Sequence, residues 1–293
     1  MKFSTPLGAK NSPSSTCISQ IISNFAEKII SRDMQIKEVT QTLERFAPLP
    51  LQESYDNAGL QIGLTGAQEV SGVLLCLDVT EDVVDEAERK GCNMIVAHHP
   101  LLFRGVKCVD GHTQVTRCMQ RAIQKNIAIY AAHTNLDNAP AGVNFRIAEK
   151  LNLQDTKFLQ PLPGGQGGSG IIGNLPKESQ AMDFLKEVKE IFGVECLMHN
   201  NGPQRPVKRI ALCGGAGDFL IDEAIEARAD VFLTGEMGYH RYFGHESEIW
   251  IGVLGHYQSE QYTIQLLRDI LSQSLPSLPL FLTEVNTNPI QYL

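Results

Sequence analysis

GVLLCLDVT (72–80), EDVVDEAERK (81–90) and NMIVAHHP (93–100) decide the fold class. Two apolar runs flank a polar segment of helical length. Strands that read as nearly continuous hydrophobic stretches and alternate with helices argue for a mainly parallel sheet covered on both faces. The pattern extends in both directions. Downstream come a helix at about 113–125, the run IAIYAAHTNLD (127–137) and a helix at about 141–151. Upstream, Ile36, Val39, Leu43 and Phe46 have helical spacing, and Pro48 and Pro50 end that helix. YDNAGLQIG (55–63) reads as a turn-rich connection.

The same alternation returns after PLPGGQGGSG (161–170), a glycine-rich break read as a flexible connection or a hairpin. It comprises a helix at 178–192, VKRIALCGG (207–215), a helix at 218–228, DVFLTGE (230–236), IWIGVLGH (249–256), a helix at 257–272 and LPLFLTEV (278–285). Shifting by 137 residues places Cys76 on Cys213, VVDEA on LIDEA, and NMIVA on DVFLT; His98 and His99 then fall on Gly235 and Glu236. This suggests an internal duplication. The expected fold is α/β, two similar lobes at 34–160 and 161–293, with a dinuclear metal site in the cleft between them. Residues 1–33 stand apart as an N-terminal extension, or as a stretch ahead of a native start at Met34. Within it Ile18, Ile21, Ile22, Phe25, Ile29 and Ile30 fall on one helical face.

The bulk composition excludes several function classes. The chain has 293 residues and a formal net charge of −8, which repels nucleic acids and anionic membranes at long range. No apolar run is long enough to span a bilayer. Seven cysteines, an odd number without any CxxC pair, point to a reducing, cytoplasmic setting.

Chemistry-bearing residues gather at strand ends, where parallel α/β sheets bind ligands. His98 and His99 follow NMIVA; adjacent histidines there can serve two metals, or divide into one functional and one structural ring. Asp137 lies in the loop after IAIYAA, either bridging two cations or doing turn chemistry. His256 and Glu260, at i and i+4, share one helix face and can reach one centre. Glu236, His240 and His245 form a further cluster after DVFLTG, suited to orienting ligands or moving protons, and His133 opens the loop that holds Asp137. Five nitrogen and oxygen donors without thiolates suit zinc, manganese or iron, and they exceed the needs of one tetrahedral ion. No nucleophile elbow, HExxH or phosphate-cradling loop competes.

The motifs YDNAGLQIG (55–63), IVAHHPLLF (95–103), AAHTNLDNAPAGVN (131–144), LTGEMGYH (233–240) and GHYQSE (255–260) together resemble the NIF-three-like family of dinuclear metal-binding proteins, over about residues 34–293. Bacterial members carry the name GTP cyclohydrolase I type 2 homologue. The resemblance implies His98, His99, Asp137, His256 and Glu260 as ligands of two divalent ions, with His133 and His240 at further family positions near the site; Glu236 joins them as a catalytic candidate from its place after DVFLTG. It also implies a hexameric ring. The family commonly has Trp in place of Tyr55 and Asp in place of Glu236. The expected activity is hydrolysis of a small molecule, a nucleotide among the candidates, by metal-activated water. The alternative is a non-catalytic metal-binding scaffold that forms a ring-shaped oligomer.

Overall fold

The computed structural model describes Met1 and residues 34–64 and 68–293, so the helical face expected at Ile18–Ile30 lies outside the described residues. In chain order the elements are α1 (Ile36–Phe46), β1 (Gly59–Ile62), β2 (Val73–Cys76), α2 (Glu81–Arg89), β3 (Met94–Ala97), α3 (Gln114–Gln124), β4 (Ala128–Ala131), α4 (Thr134–Asp137), α5 (Val143–Lys150), β5 (Gln154–Pro161) and β6 (Gly168–Ser179). There follow α6 (Ala181–Ile191), β7 (Met198–His199), β8 (Val207–Cys213), α7 (Ile221–Glu226), β9 (Val231–Thr234), β10 (Trp250–Val253), α8 (His256–Glu260), α9 (Thr263–Ser274) and β11 (Leu280–Leu282). They form a mixed α/β fold with two sheets, in the orders β1-β4-β3-β2-β11 and β5-β6-β8-β9-β10-β7.

Strands β2, β3 and β4 are buried at every position, which explains why they read as continuous apolar runs rather than alternating ones. Val83, Val84 and Ala87 of α2 and Cys118, Met119 and Ala122 of α3 pack on Leu74, Cys76, Ile95, Ala97 and Ile129. The Thr80 side chain caps α2 by accepting from Val83 N, and Glu81 and Asp82 place negative charge at the positive end of its dipole. In the second sheet, Leu220, Ile221 and Ala224 cover Ala211, Phe232 and Ile251.

Parallel pairing holds the central strands of both sheets in one register. Val73 to Cys76 face Met94 to Ala97, and Ile210 to Cys213 face Val231 to Thr234. Each residue of the second pair lies 137 positions after its counterpart in the first. All carboxyl ends of these strands therefore open in corresponding places.

Four details differ from the sequence reading. The division at 160/161 falls inside a hairpin. Polar β5 pairs antiparallel with β6 from Gln154 to Pro161, and the glycine-rich segment is its tip, closed by Leu162 N donating to Gly167 O. The last strand, β11, returns to the first sheet and runs parallel to β2, with Leu280 facing Val73. The segment YDNAGLQIG is only partly a turn: Gly59–Ile62 forms β1, antiparallel to β4. The expected long helix after His256 is also two helices, α8 and α9. Between them Gln261 donates to Phe192 O and the Tyr262 hydroxyl to Ile191 O.

A buried carboxylate secures the returning strand. Glu86, 1% exposed, accepts from Glu284 N at 3.0 Å and from the Thr283 hydroxyl, and pairs with Lys90 at 3.1 Å. Among the described residues no helix is long and apolar enough to cross a membrane.

Candidate metal centre

His98 continues β3 directly. Its backbone N donates to Cys76 O, and its ring lies fully buried. Nδ1 donates to Ala132 O at 2.8 Å, which fixes the tautomer and leaves Nε2 as a lone pair facing inward. That Nε2 has no hydrogen-bond partner, and neither does the buried Oδ1 of Asp137, 3.7 Å away. Glu260 Oε1 is also 3.7 Å from His98 Nε2. Buried polar atoms without partners cost about 1–3 kcal/mol each. Three electron-rich atoms converging without a donor between them fit a divalent cation.

A second set lies beside the first. His99 Nδ1 donates to Asp78 Oδ1 at 2.7 Å, and His256 Nδ1 donates to Glu236 Oε1 at 2.7 Å. Both rings therefore turn Nε2 inward, 3.3 Å from each other and 3.0 and 3.1 Å from Glu260 Oε2. With both Nδ1 atoms committed, the two Nε2 atoms can each donate to Glu260 Oε2 when protonated or together ligate one cation. Carboxylates behind ligating histidines are the usual device for fixing ring orientation. Glu260 thus presents Oε1 to the His98–Asp137 set and Oε2 to the His99–His256 set. These are two of the three groupings among the described residues whose donor atoms lie close enough to share an ion; the third is His98, His99 and His133.

The electrostatics follow from burial and this crowding. Burial opposes charge on His99, yet its bonds to Asp78 and Glu260 push its pKa up to about 10. His256 behaves alike: burial opposes charge, and the bond to Glu260 carries it up to about 9. Burial of the Asp137 carboxyl, reinforced by the charge of Glu260, raises it to about 7 despite the neighbouring His98. Burial would also raise Glu260, but His98, His256 and His99 hold it well below the usual carboxylate range.

Glycine is required behind Glu260. Gly215 has φ +60°, and a Cβ there would sit 2.3 Å from Glu260 Oε1. Its N–H donates to the Ser259 hydroxyl at 3.0 Å, tying the loop after β8 to α8.

All five expected ligands meet here. His133 is close by: its ring stands edge-on to those of His98 and His99, and Nδ1 bonds Asp56 Oδ1 at 2.7 Å. Burial works against the Asp56 charge, but hydrogen bonds from His133 and Thr134 hold its pKa at about 2. Glu236 contacts the centre through His256. His240 does not join it; it is exposed in a short 3-10 turn against Tyr239 and Phe243. Three supporting residues escaped the sequence reading: Asp78, Asp56 and Thr287, whose hydroxyl donates to Asp78 Oδ2 at 2.7 Å. Asp78 follows an apolar strand, so the strand-end rule contained the signal for it.

The centre opens into a cavity of about 530 Å³. Beside the histidines and carboxylates, Tyr55, Phe103, Phe219 and Ile290 line it, each substantially exposed. Glu53 also faces it, with Oε1 engaged by Asn138 at 3.0 Å and Ser169 at 3.4 Å.

Known proteins share this arrangement of chain. A Clostridium acetobutylicum protein named GTP cyclohydrolase 1 type 2 homolog is 29% identical over 267 residues, covering 88% of this chain and 99% of its own. The Streptococcus pneumoniae protein of the same name is 30% identical, covering 89% and 100%. Among solved structures, the Staphylococcus aureus hypothetical protein SA1388 superposes with a TM-score of 0.81 at 27% identity, covering 89% of this chain and 99% of its own. Reduced HcgD from Methanocaldococcus jannaschii gives 0.73 at 26% identity, covering 86% and 98%. Residues 34–289 match the sequence model of one family, and the chain belongs to it: Duf34/NIF3, NGG1p interacting factor 3.

Proposed function

We propose that this chain is a metal-dependent hydrolase that holds two divalent ions, one between His98, Asp137 and Glu260 and one between His99, His256 and Glu260. The observation that carries the reading is the division of the Glu260 carboxylate: one oxygen to each donor set, with the unpartnered atoms His98 Nε2 and Asp137 Oδ1 on one side. Nitrogen and oxygen donors suit zinc, manganese or iron. Ions held there supply Lewis acidity, which polarises an unsaturated carbon or phosphorus centre and acidifies water.

The protein's own groups divide the remaining work. Asp56 stays ionised across the working pH range, so it fixes the His133 tautomer and leaves Nε2 free to accept or return a proton at the cavity wall. Glu236 orients His256 rather than moving protons itself. Tyr55 and Phe103 line the cavity as an edge-to-face pair, ring centroids 6.4 Å apart, and give it an aromatic wall. A ring-opening hydrolysis of a heterocycle, as in the names of the relatives, fits such a wall. The rival reading, ions that merely pin a scaffold, calls for closed donor sets; an adjoining cavity of this size favours turnover. Assembly as a hexameric ring is likewise proposed from the resemblance. The shared registers support reading the two sheets as copies of one α/β unit with the site at their junction.

Elemental analysis of protein purified without chelator is expected to find two ions per chain, and chelation to abolish turnover of nucleotides, phosphoesters or cyclic amides until metal is returned. A chain with no bound metal, or turnover that survives chelation, would overturn the reading.

Metal binding should also release protons. His99 and His256 hold theirs up to about pH 10 and 9 in the metal-free protein, and ligation requires them gone. Calorimetry at pH 8 in buffers of different ionisation enthalpy should show roughly one to two protons released per chain, and affinity rising with pH up to about 9. Affinity independent of pH between 7 and 9 would contradict the ligand assignment.

A further inference from the structure

The segment after β11 crosses the metal cavity. Thr283 N donates to Leu75 O, which carries the first sheet one residue past β11. Val285 N then donates to the Thr283 hydroxyl at 3.2 Å, which turns the chain after β11. Thr287 reaches Asp78 Oδ2 at 2.7 Å, and Asn288, Pro289 and Ile290 line the cavity. Beyond them Tyr292 comes to the second sheet's side of the site: a Cβ on Gly255, the residue before His256, would lie 3.3 Å from its hydroxyl. The segment is anchored at its start by Glu86 and Lys90, neither of which lines the cavity.

Asp78 is therefore held from two sides. Oδ1 takes the proton of His99 Nδ1, and Oδ2 takes that of Thr287. A carboxylate with one oxygen free can rotate about its last bond; with both oxygens engaged it cannot, and the ring it serves is fixed with it. His99 is itself partly exposed, so packing alone does not lock its angle.

We propose that Thr287 is a positioning residue of the metal centre: through Asp78 it fixes the His99 ring, so that the carboxy-terminal segment is part of the ligand scaffold rather than a tail. The proposal rests on the two-ion reading for its metal arm and is independent of it for its ring arm. Buried second partners of metal ligands commonly change affinity 10–100-fold when removed.

The test compares Thr287→Val, which keeps the shape and removes the hydroxyl, with Thr287→Ser, which restores it. In metal-free protein, the exchange of the His99 Nδ1 proton with water, followed by NMR, is expected to accelerate about tenfold in T287V and to return to the wild-type rate in T287S. Titration with zinc against a chromophoric chelator is expected to show one of two sites weakened about tenfold in T287V and restored in T287S, with the other unchanged. A chain ending at Val285, which keeps β11, should reproduce both effects. Exchange and zinc affinity within twofold of wild type in T287V would overturn the proposal. So would equal losses in T287V and T287S, which would mark Thr287 as a packing residue. If wild-type protein binds no zinc while T287V still frees the ring, the two-ion reading falls and the positioning role stands.

Discussion

Glu260→Gln is expected to remove both metal ions and, in chelator-treated protein at pH 7, to cost about 3 kcal/mol of stability. The carboxylate is 4% exposed and has His98 against one oxygen and His99 and His256 against the other. Removing one partner of a buried charged cluster leaves the others uncompensated, which is what makes such losses large. The pH dependence identifies the cause. His99 and His256 have pKa values raised above the ordinary 6.5, so their contribution is full below about that pH and fades as pH rises through about 9 and 10. Glu260 is shifted the other way, so its contribution holds above its ordinary 4.5 and is lost as pH falls through its lowered value. The gap between wild type and variant should therefore be widest near neutrality and narrow by pH 10. Urea denaturation at pH 6.5, 8 and 10 measures it. A constant gap would show that the glutamine merely packs badly, and one ion retained at full affinity would assign the carboxylate to a single site.

Gly215→Ala should cost about 3 kcal/mol and also strip the centre of metal. Two penalties combine there. The residue has φ +60°, which costs an L side chain about 1–2 kcal/mol. Its new methyl would also occupy a position 2.3 Å from Glu260 Oε1, so the carboxylate must leave the place from which it serves both donor sets. Gly91 supplies the control. It has φ +70°, but nothing lies within 4 Å of its Cβ position, so Gly91→Ala should cost only about 1–2 kcal/mol and leave metal content unchanged. Thermal denaturation and elemental analysis of the two variants separate backbone strain from displacement of Glu260. Equal effects at both positions would remove the steric part of the explanation.

The central strands and the five donor residues that the structure brings together were legible because both depend on short-range pattern. His98 and His99 end an unbroken apolar run, and His256 and Glu260 share a helix face by spacing alone. The residues behind them were not legible, because each meets its partner across a long stretch of chain: Asp56 finds His133 77 positions on, and Thr287 finds Asp78 across 209. Turn chemistry explained Asp56 well enough in the sequence to hide its second use. Strand β5, QDTKFLQP, was missed because it is a largely exposed edge with no apolar run, and its partner β6 begins in a glycine cluster that reads as a break. His240 shows the opposite case. It sits in a motif with chemical residues on every side, yet the chain turns its ring toward Tyr239 and Phe243.

The return of β11 to the first sheet has a consequence for synthesis. Until residues 280–282 leave the ribosome, β2 keeps an open edge with unpaired N–H and carbonyl groups beside a strand of four apolar residues. Asp78 waits just as long for Thr287, and His98 and His99 wait for α8. A nascent chain can complete the hairpin and the earlier helices first, but the edge closes only once residues 280–282 are available to pair with β2. The interval before that pairing is when this chain is most open to pairing with another strand.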